Sequence, residues 1–140
     1  MPLPQPDDLT SLVLRTEFGD DGAWDAVVTA LEAAGEYPHA TYVSERRFAG
    51  VGVEALMAEE AAADESEQIV YLFLADAATM KEPGHPLLAV DLWEEPGRTL
   101  RVPARWFPDI STNLSIANMD FAEFADAADE SGTFRGFDEG

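Results

Sequence analysis

The chain of 140 residues has no cysteine. That excludes disulfides, thiolate nucleophiles and cysteine metal sites, and it suits a reducing compartment, so a cytoplasmic location is expected. Cations are scarce: Lys81 is the only lysine, and seven arginines complete the set of 8, against 28 acidic residues. A net charge of −20 repels nucleic-acid phosphates and anionic lipid, which excludes both as expected partners. No apolar run approaches the roughly 20 residues that span a bilayer. The opening residues 1–8 lack a basic end and an apolar stretch, so no signal peptide is expected there. Their alternating prolines suggest an extended arm.

What is present suffices for a packed core. Hydrophobic residues make up 46% of the chain, too many for a disordered one. The length fits a single domain, here expected over residues 9–137.

The pattern along the chain gives an order of elements. Residues 9–16, LTSLVLRT, read as a first strand with Arg15 near its end. Trp24, Val27, Val28 and Leu31 recur at helical spacing, with Asp20 or Asp21 as N-cap and Gly35 as the stop. Residues 40–48 read as an edge strand, and 52–63 as a short helix with Val53, Leu56 and Met57 on one face. Residues 69–75 and 87–93 are apolar without alternation, which marks strands buried on both faces. Glu95-Pro96-Gly97-Arg98 places Pro and Gly at the centre of a tight turn, so 87–103 is expected as a β-hairpin. Residues 105–110 read as irregular or one helical turn, broken by Pro108. A last helix is expected over 121–128, opened by an Asp120–Glu123 capping box. The aromatics of 132–137 anchor the tail. The fold class is α/β or α+β: one mixed sheet of about five strands with about three helices packed on it.

Four sets of residues invite a functional reading. Glu17, Asp20 and Asp21 follow the first strand and Asp76 follows the buried central one. If these strands are parallel neighbours, the carboxylates converge at the carboxyl edge of the sheet, where ligands of open α/β sheets bind. Such a cluster could hold Mg²⁺ or Ca²⁺ through oxygen ligands. Against this, Asp20 and Asp21 have a structural use as helix caps. His39 and His85 stand in proline-marked loops, without a nucleophile motif or zinc spacing around them, and read as surface histidines. Glycines 50 and 52 lack the third glycine and the lysine of a phosphate loop. In Asn113-Leu-Ser-Ile-Ala-Asn-Met119, Leu114, Ile116 and Met119 alternate with Ser115 and Asn118, which suits a short buried segment between sheet and last helix. Asn113 suits a turn and Asn118 can fix the bend. Finally, Trp93, Trp106, Phe107, Phe134 and Phe137 could form an exposed protein-binding patch, or simply pack the core.

Residues 14–24 (LRTEFGDDGAW), 90–98 (VDLWEEPGR) and 113–121 (NLSIANMDF) together resemble a family of small bacterial domains of unknown function, common in actinomycete-type genomes. The resemblance covers nearly the whole chain. Its most specific part is N-L-S-x-A-N-M-D-F, and residues 34–66 match least. It implies a stand-alone cytoplasmic domain and transfers no catalytic residue.

The expected function is therefore a non-enzymatic, acidic interaction domain, immunity- or antitoxin-like, that meets a basic protein partner. Carboxylates of Asp64, Glu65, Glu67, Asp126, Asp129 and Glu130 are expected contributors, and no cofactor is required. The alternative is a metal- or phosphate-dependent regulatory or catalytic domain using Glu17, Asp20, Asp21 and Asp76. The sequence sets neither the oligomeric state nor the strand order.

Overall fold

A computed structural model describes residues 10–35, 40–61, 69–82, 84–93, 95–115, 120–130 and 132–134. The expected arm 1–8, His39, the acidic run 64–67, Asn118 and Phe137 lie outside the described residues.

The centre of the molecule is a five-stranded mixed sheet in the order β2-β1-β3-β4-β5. Its strands are β1 (Ser11–Arg15), β2 (Ala40–Val43), β3 (Tyr71–Ala75), β4 (Leu87–Asp91) and β5 (Thr99–Val102). β1 pairs in parallel with both β2 and β3, while β3–β4 and β4–β5 are antiparallel. Among the described residues there are five α-helices: α1 (Asp21–Ala34), α2 (Val53–Ala61), α3 (Ala77–Lys81), α4 (Phe107–Ser115) and α5 (Phe121–Asp126). Three of them run nine residues or more. The mixed sheet with helices on it is the architecture expected.

Both faces of the sheet are covered, which explains the unbroken apolar runs of β1 and β3. Val13 and Phe73 look into one core with Trp24, Val27 and Leu31 of α1, Phe107 and Ile110 of α4, and Phe121 and Phe124 of α5. Leu12, Leu14, Leu72 and Leu74 look into the other, beneath Phe48 and Leu56 of α2. The crossovers β1–α1–β2 and β2–α2–β3 step in opposite directions along the sheet. Right-handed connections then put their helices on opposite faces.

Local chemistry fixes the ends. Asp20 caps α1, accepting from the Ala23 N–H at 3.0 Å. Gly35 ends that helix in extended conformation, φ −126°, so no left-handed residue is needed there. The hairpin turn closes through the Arg98 N–H donating to the Glu95 carbonyl at 2.9 Å. Gly97 has φ 93°, the left-handed third position of a type II turn. A Cβ there would also stand 3.0 Å from Met57 Sδ of α2. The Asp120 N–H donates to Glu123 Oε2 at 2.8 Å, so the expected capping box opens α5.

Three expectations are corrected. The second strand ends at Val43 rather than continuing to 48; residues 46–48 form a 3₁₀ turn that folds Phe48, 4% exposed, under α2. Residues 104–106 form a second 3₁₀ turn, and α4 runs on from it to Ser115. Pro108 therefore opens α4 instead of breaking it, because the first-turn N–H it lacks has no intrahelical acceptor. Third, Asn113 and Leu114 belong to that helix and not to a turn and an alternating segment. Asn113 Nδ2 donates to the Asp109 carbonyl at 2.8 Å, one helical turn back. The joint before α5 thus follows a helix, not the sheet.

A polar network crosses the α1-side core. Ser11 Oγ lies 2.8 Å from the Tyr71 hydroxyl and 2.7 Å from Ser111 Oγ, tying β1, β3 and α4 together. Both serines are 0% exposed, so each hydroxyl depends on these partners. Burial raises the Tyr71 pKa and outweighs the opposing bond from Ser11, keeping the phenol protonated.

Candidate functional site

β1 and β3 are parallel neighbours, so the segment after Arg15 and the segment after Ala75 do emerge at one edge of the sheet. The strand order reverses at this pair, the usual location of ligands in α/β sheets. The Thr16 N–H donates to the Ala75 carbonyl at 3.0 Å, and the Thr16 carbonyl accepts from Gly50 at 2.8 Å. These bonds draw three loops together over the strand ends.

The carboxylates at this edge are held separately. Glu17 Oε1 accepts from the Gly19 N–H at 2.8 Å, and Asp20 serves as the α1 cap. Asp21 accepts from Arg15 Nη2 at 2.8 Å. Arg15 is 4% exposed, although it closes an apolar strand. Its Nε donates to the Glu17 carbonyl at 2.8 Å, and its guanidinium lies 4.4 Å from the Phe18 ring and 5.5 Å from Trp24. The arginine thus grips the loop between β1 and α1 from within.

Asp76 stands at the end of β3 as N-cap of α3. Its Oδ1 accepts from the Thr79 N–H at 3.2 Å and from Thr79 Oγ1 at 3.1 Å. Across the sheet, Arg101 of β5 grips the same carboxylate with both Nη atoms, at 2.9 and 2.8 Å. Burial by itself would raise the Asp76 pKa. The Arg101 bonds and charge, with the Thr79 bonds, overcome it and hold the carboxyl below its ordinary value. Arg101 is raised in turn, first by its hydrogen bond to Asp76. Beside the pair, His85 has φ 47°, uncommon for a residue with a side chain, and its Nδ1 lies 3.1 Å from the Thr79 carbonyl.

Glu17, Asp20 and Asp21 thus share an edge with Asp76, yet among the described residues no three carboxylate or histidine side chains form a metal-binding group. The arrangement locks loops: one arginine per strand end, each fixing a carboxylate that also shapes a helix start.

Other expected site residues are placed as follows. Asp126 accepts from Arg98 Nη2 at 2.6 Å, and this bond is the main cause that raises the Arg98 pKa above its ordinary value. Asp129 Oδ1 accepts from the Thr133 N–H at 3.1 Å, which closes the last loop. Glu130 is exposed. Of the aromatics, Phe107 and Phe134 are core, 1% and 2% exposed, and Phe134 meets Trp106 and Phe124 edge to face. Trp93 is 65% exposed beyond β4.

Sequence reasoning missed Arg101, Thr79 and the Ser11–Tyr71–Ser111 network. Only Arg15 carried a readable signal, as a cation closing an otherwise apolar strand.

No curated protein matches the chain. A family model described as a domain of unknown function, DUF6924, matches residues 10–137, from the start of β1 through the last described segment. The chain belongs to the DUF6924 family.

Proposed function

We propose that this domain is a non-enzymatic acidic interaction module that binds a protein with a basic surface, as an immunity or antitoxin-like protein covers a cationic toxin. The observation that carries this reading is where the charges sit. Helices α1, α2, α4 and α5 hold nine carboxylates in sequence (Asp21, Asp25, Glu32, Glu54, Glu59, Glu60, Asp109, Glu123 and Asp126) and no lysine or arginine. Arginines 15, 47, 98 and 101 each pair with a carboxylate of the same chain. Arg46 and Arg105 lie over the rings of Phe18 and Trp106. Six of the seven arginines are therefore engaged within the chain, and the helices on both faces of the sheet carry an excess of carboxylates. Such a field accelerates and selects encounters with a cationic partner. Asp64, Glu65 and Glu67, outside the described residues, would add three carboxylates to the excess. Asp129 and Glu130 would add to it near α5, while Asp126 is shared with Arg98. The module would work in a bacterial, actinomycete-type cytoplasm, with N-L-S-x-A-N-M-D-F as the mark of its family. A pull-down from native lysate at low salt tests the reading: recovery of no basic protein would count decisively against it.

The second reading is a regulatory site for Mg²⁺ or Ca²⁺ at Glu17, Asp20, Asp21 and Asp76. The convergence of the β1 and β3 loops at one edge favours it. A ligand of the native state raises the melting temperature, so millimolar Mg²⁺ or Ca²⁺ should do so here. An unchanged melt removes this reading.

A further inference from the structure

Among the described residues two large apolar side chains stand exposed, Val70 at 45% and Trp93 at 65%. They belong to one corner of the molecule, the start of β3 and the end of β4. The Leu92 N–H donates to the Val70 carbonyl at 2.9 Å, so Trp93 follows directly on the residue opposite Val70. The turn that carries Trp93 is tightly held. Asp91, 3% exposed, accepts from the Trp93 N–H at 2.9 Å through Oδ1 and from the Glu95 N–H at 3.0 Å through Oδ2. The Asp91 carbonyl also accepts from the Gly97 N–H at 2.8 Å. A buried carboxylate thus gives both oxygens to fixing the backbone that holds an indole out in water, where the ring adds little to the burial that stabilises the fold.

The ring itself narrows the occupant. The face of an indole is negative and attracts a cation within about 6 Å of its centre. The protein makes this contact on its other two tryptophans: Arg15 lies 5.5 Å from the Trp24 ring and Arg105 lies 5.0 Å from the Trp106 ring. Among the described residues no cation lies over Trp93. The one cation of its own turn, Arg98, is bonded to Glu95 at 3.0 Å and to Asp126 at 2.6 Å. With Asp91, this corner holds three described carboxylates and one arginine, so an anionic ligand is disfavoured there. A second copy of the chain, at −20, is disfavoured as well.

Resting on the acidic-module reading above, we infer that Trp93 is the contact point for the basic partner, and that an arginine of that partner stacks its guanidinium on the exposed indole. Arginine fits better than lysine. Its planar head stacks on aromatic faces, and its methylene stem lies favourably along apolar surface such as Val70. Tryptophan and arginine are also the side chains in which interface energy most often concentrates. A rigidly held ring loses little freedom when it is covered, which favours binding at this corner over a mobile one.

Two labelled peptides test this at low salt, tetra-arginine and tetra-citrulline, which keeps the planar head and loses the charge. The proteins are the wild type, Trp93→Phe and Trp93→Leu; the side chain is 65% exposed, so neither change enters the core. The indole N–H resonance of Trp93, assigned by its loss in Trp93→Leu, should move on adding tetra-arginine, and move further than those of Trp24 and Trp106. It should stay still with tetra-citrulline. By fluorescence anisotropy tetra-arginine should bind Trp93→Leu about two- to fivefold more weakly than the wild type, the range of an exposed cation–π contact, with Trp93→Phe in between. Equal binding to all three proteins with a stationary Trp93 resonance would overturn the contact and leave the acidic module standing. Equal shifts from both peptides, or full retention of binding in Trp93→Leu, would mark a site for uncharged apolar groups and overturn the arginine. A wild-type dimer that Trp93→Leu dissolves would give the ring to a second copy and overturn it too. Failure of tetra-arginine to bind any of the three would overturn the contact and the charge-driven reading together.

Discussion

Replacing Asp76 by alanine separates a structural carboxylate from a cation ligand by the sign of the effect. In the native protein Asp76 accepts two bonds from Arg101, at 2.9 and 2.8 Å, and caps α3 through Thr79. Loss of an N-cap costs about 0.5–2 kcal/mol. Loss of a hydrogen bond to a charged group costs roughly 1.5–3 kcal/mol. The ion-pair side chains are 26% and 28% exposed, so water partly replaces the lost contact and the lower end applies. The sum is about 2–4 kcal/mol of destabilisation, read as a lower midpoint in urea at unchanged slope. Replacing Arg101 by methionine should cost a similar amount. The double variant should cost clearly less than the two single losses added together, because the second change removes a partner already stranded. Electrostatic repulsion at a metal-free cation site would give the opposite result, a gain in stability for Asp76→Ala. A loss below about 0.5 kcal/mol, or strict additivity with Arg101→Met, would refute the brace.

Two further outcomes follow from the same geometry. The folded-state pKa of Asp76 is depressed, so its contribution is complete above the ordinary carboxylate value near ~4 and is lost as pH falls through the folded value. The stability gap between wild type and Asp76→Asn, measured in urea, should therefore shrink as pH drops from about 5 towards 2; a gap that stays constant would show that the charge contributes nothing. Gly97→Ala should cost about 1–2 kcal/mol, since φ 93° strains any side chain and Met57 must also give way. Gly52→Ala meets nothing within 4 Å and should be neutral or slightly stabilising, so equal losses at both positions would contradict the turn assignment.

Much of the fold was legible because its signals are local. The helical spacing of Trp24, Val27 and Leu31 and the unbroken apolar runs of β1 and β3 each report burial directly. The Pro96-Gly97 turn dictates its own geometry. Helix α4 was hidden by two residues, Pro108, which reads as a breaker, and Ser111. Its buried positions are Phe107, Pro108, Ile110 and Ser111, with Leu114 half-buried, and the serine occupies a slot where an apolar residue would have revealed the period. Ser111 meets Ser11, 100 positions earlier, so its buried hydroxyl has a partner there. The candidate site was obscured for the same reason. Asp76 and Arg101 stand 25 positions apart, and only the β3–β4–β5 pairing brings them into contact. A carboxylate following a strand looks identical in sequence whether it awaits a cation or already holds an arginine.

The central claim is that the negative charge left over after these internal pairs is met by a positive partner. It is tested most directly by capturing proteins from native lysate on the immobilised domain at about 50 mM and about 500 mM salt. The screening length falls from roughly 14 Å to about 4 Å across that range. A charge-driven partner should be basic, retained at the lower salt and released at the higher. Capture of no basic protein at 50 mM, or retention that does not change with salt, would contradict the account.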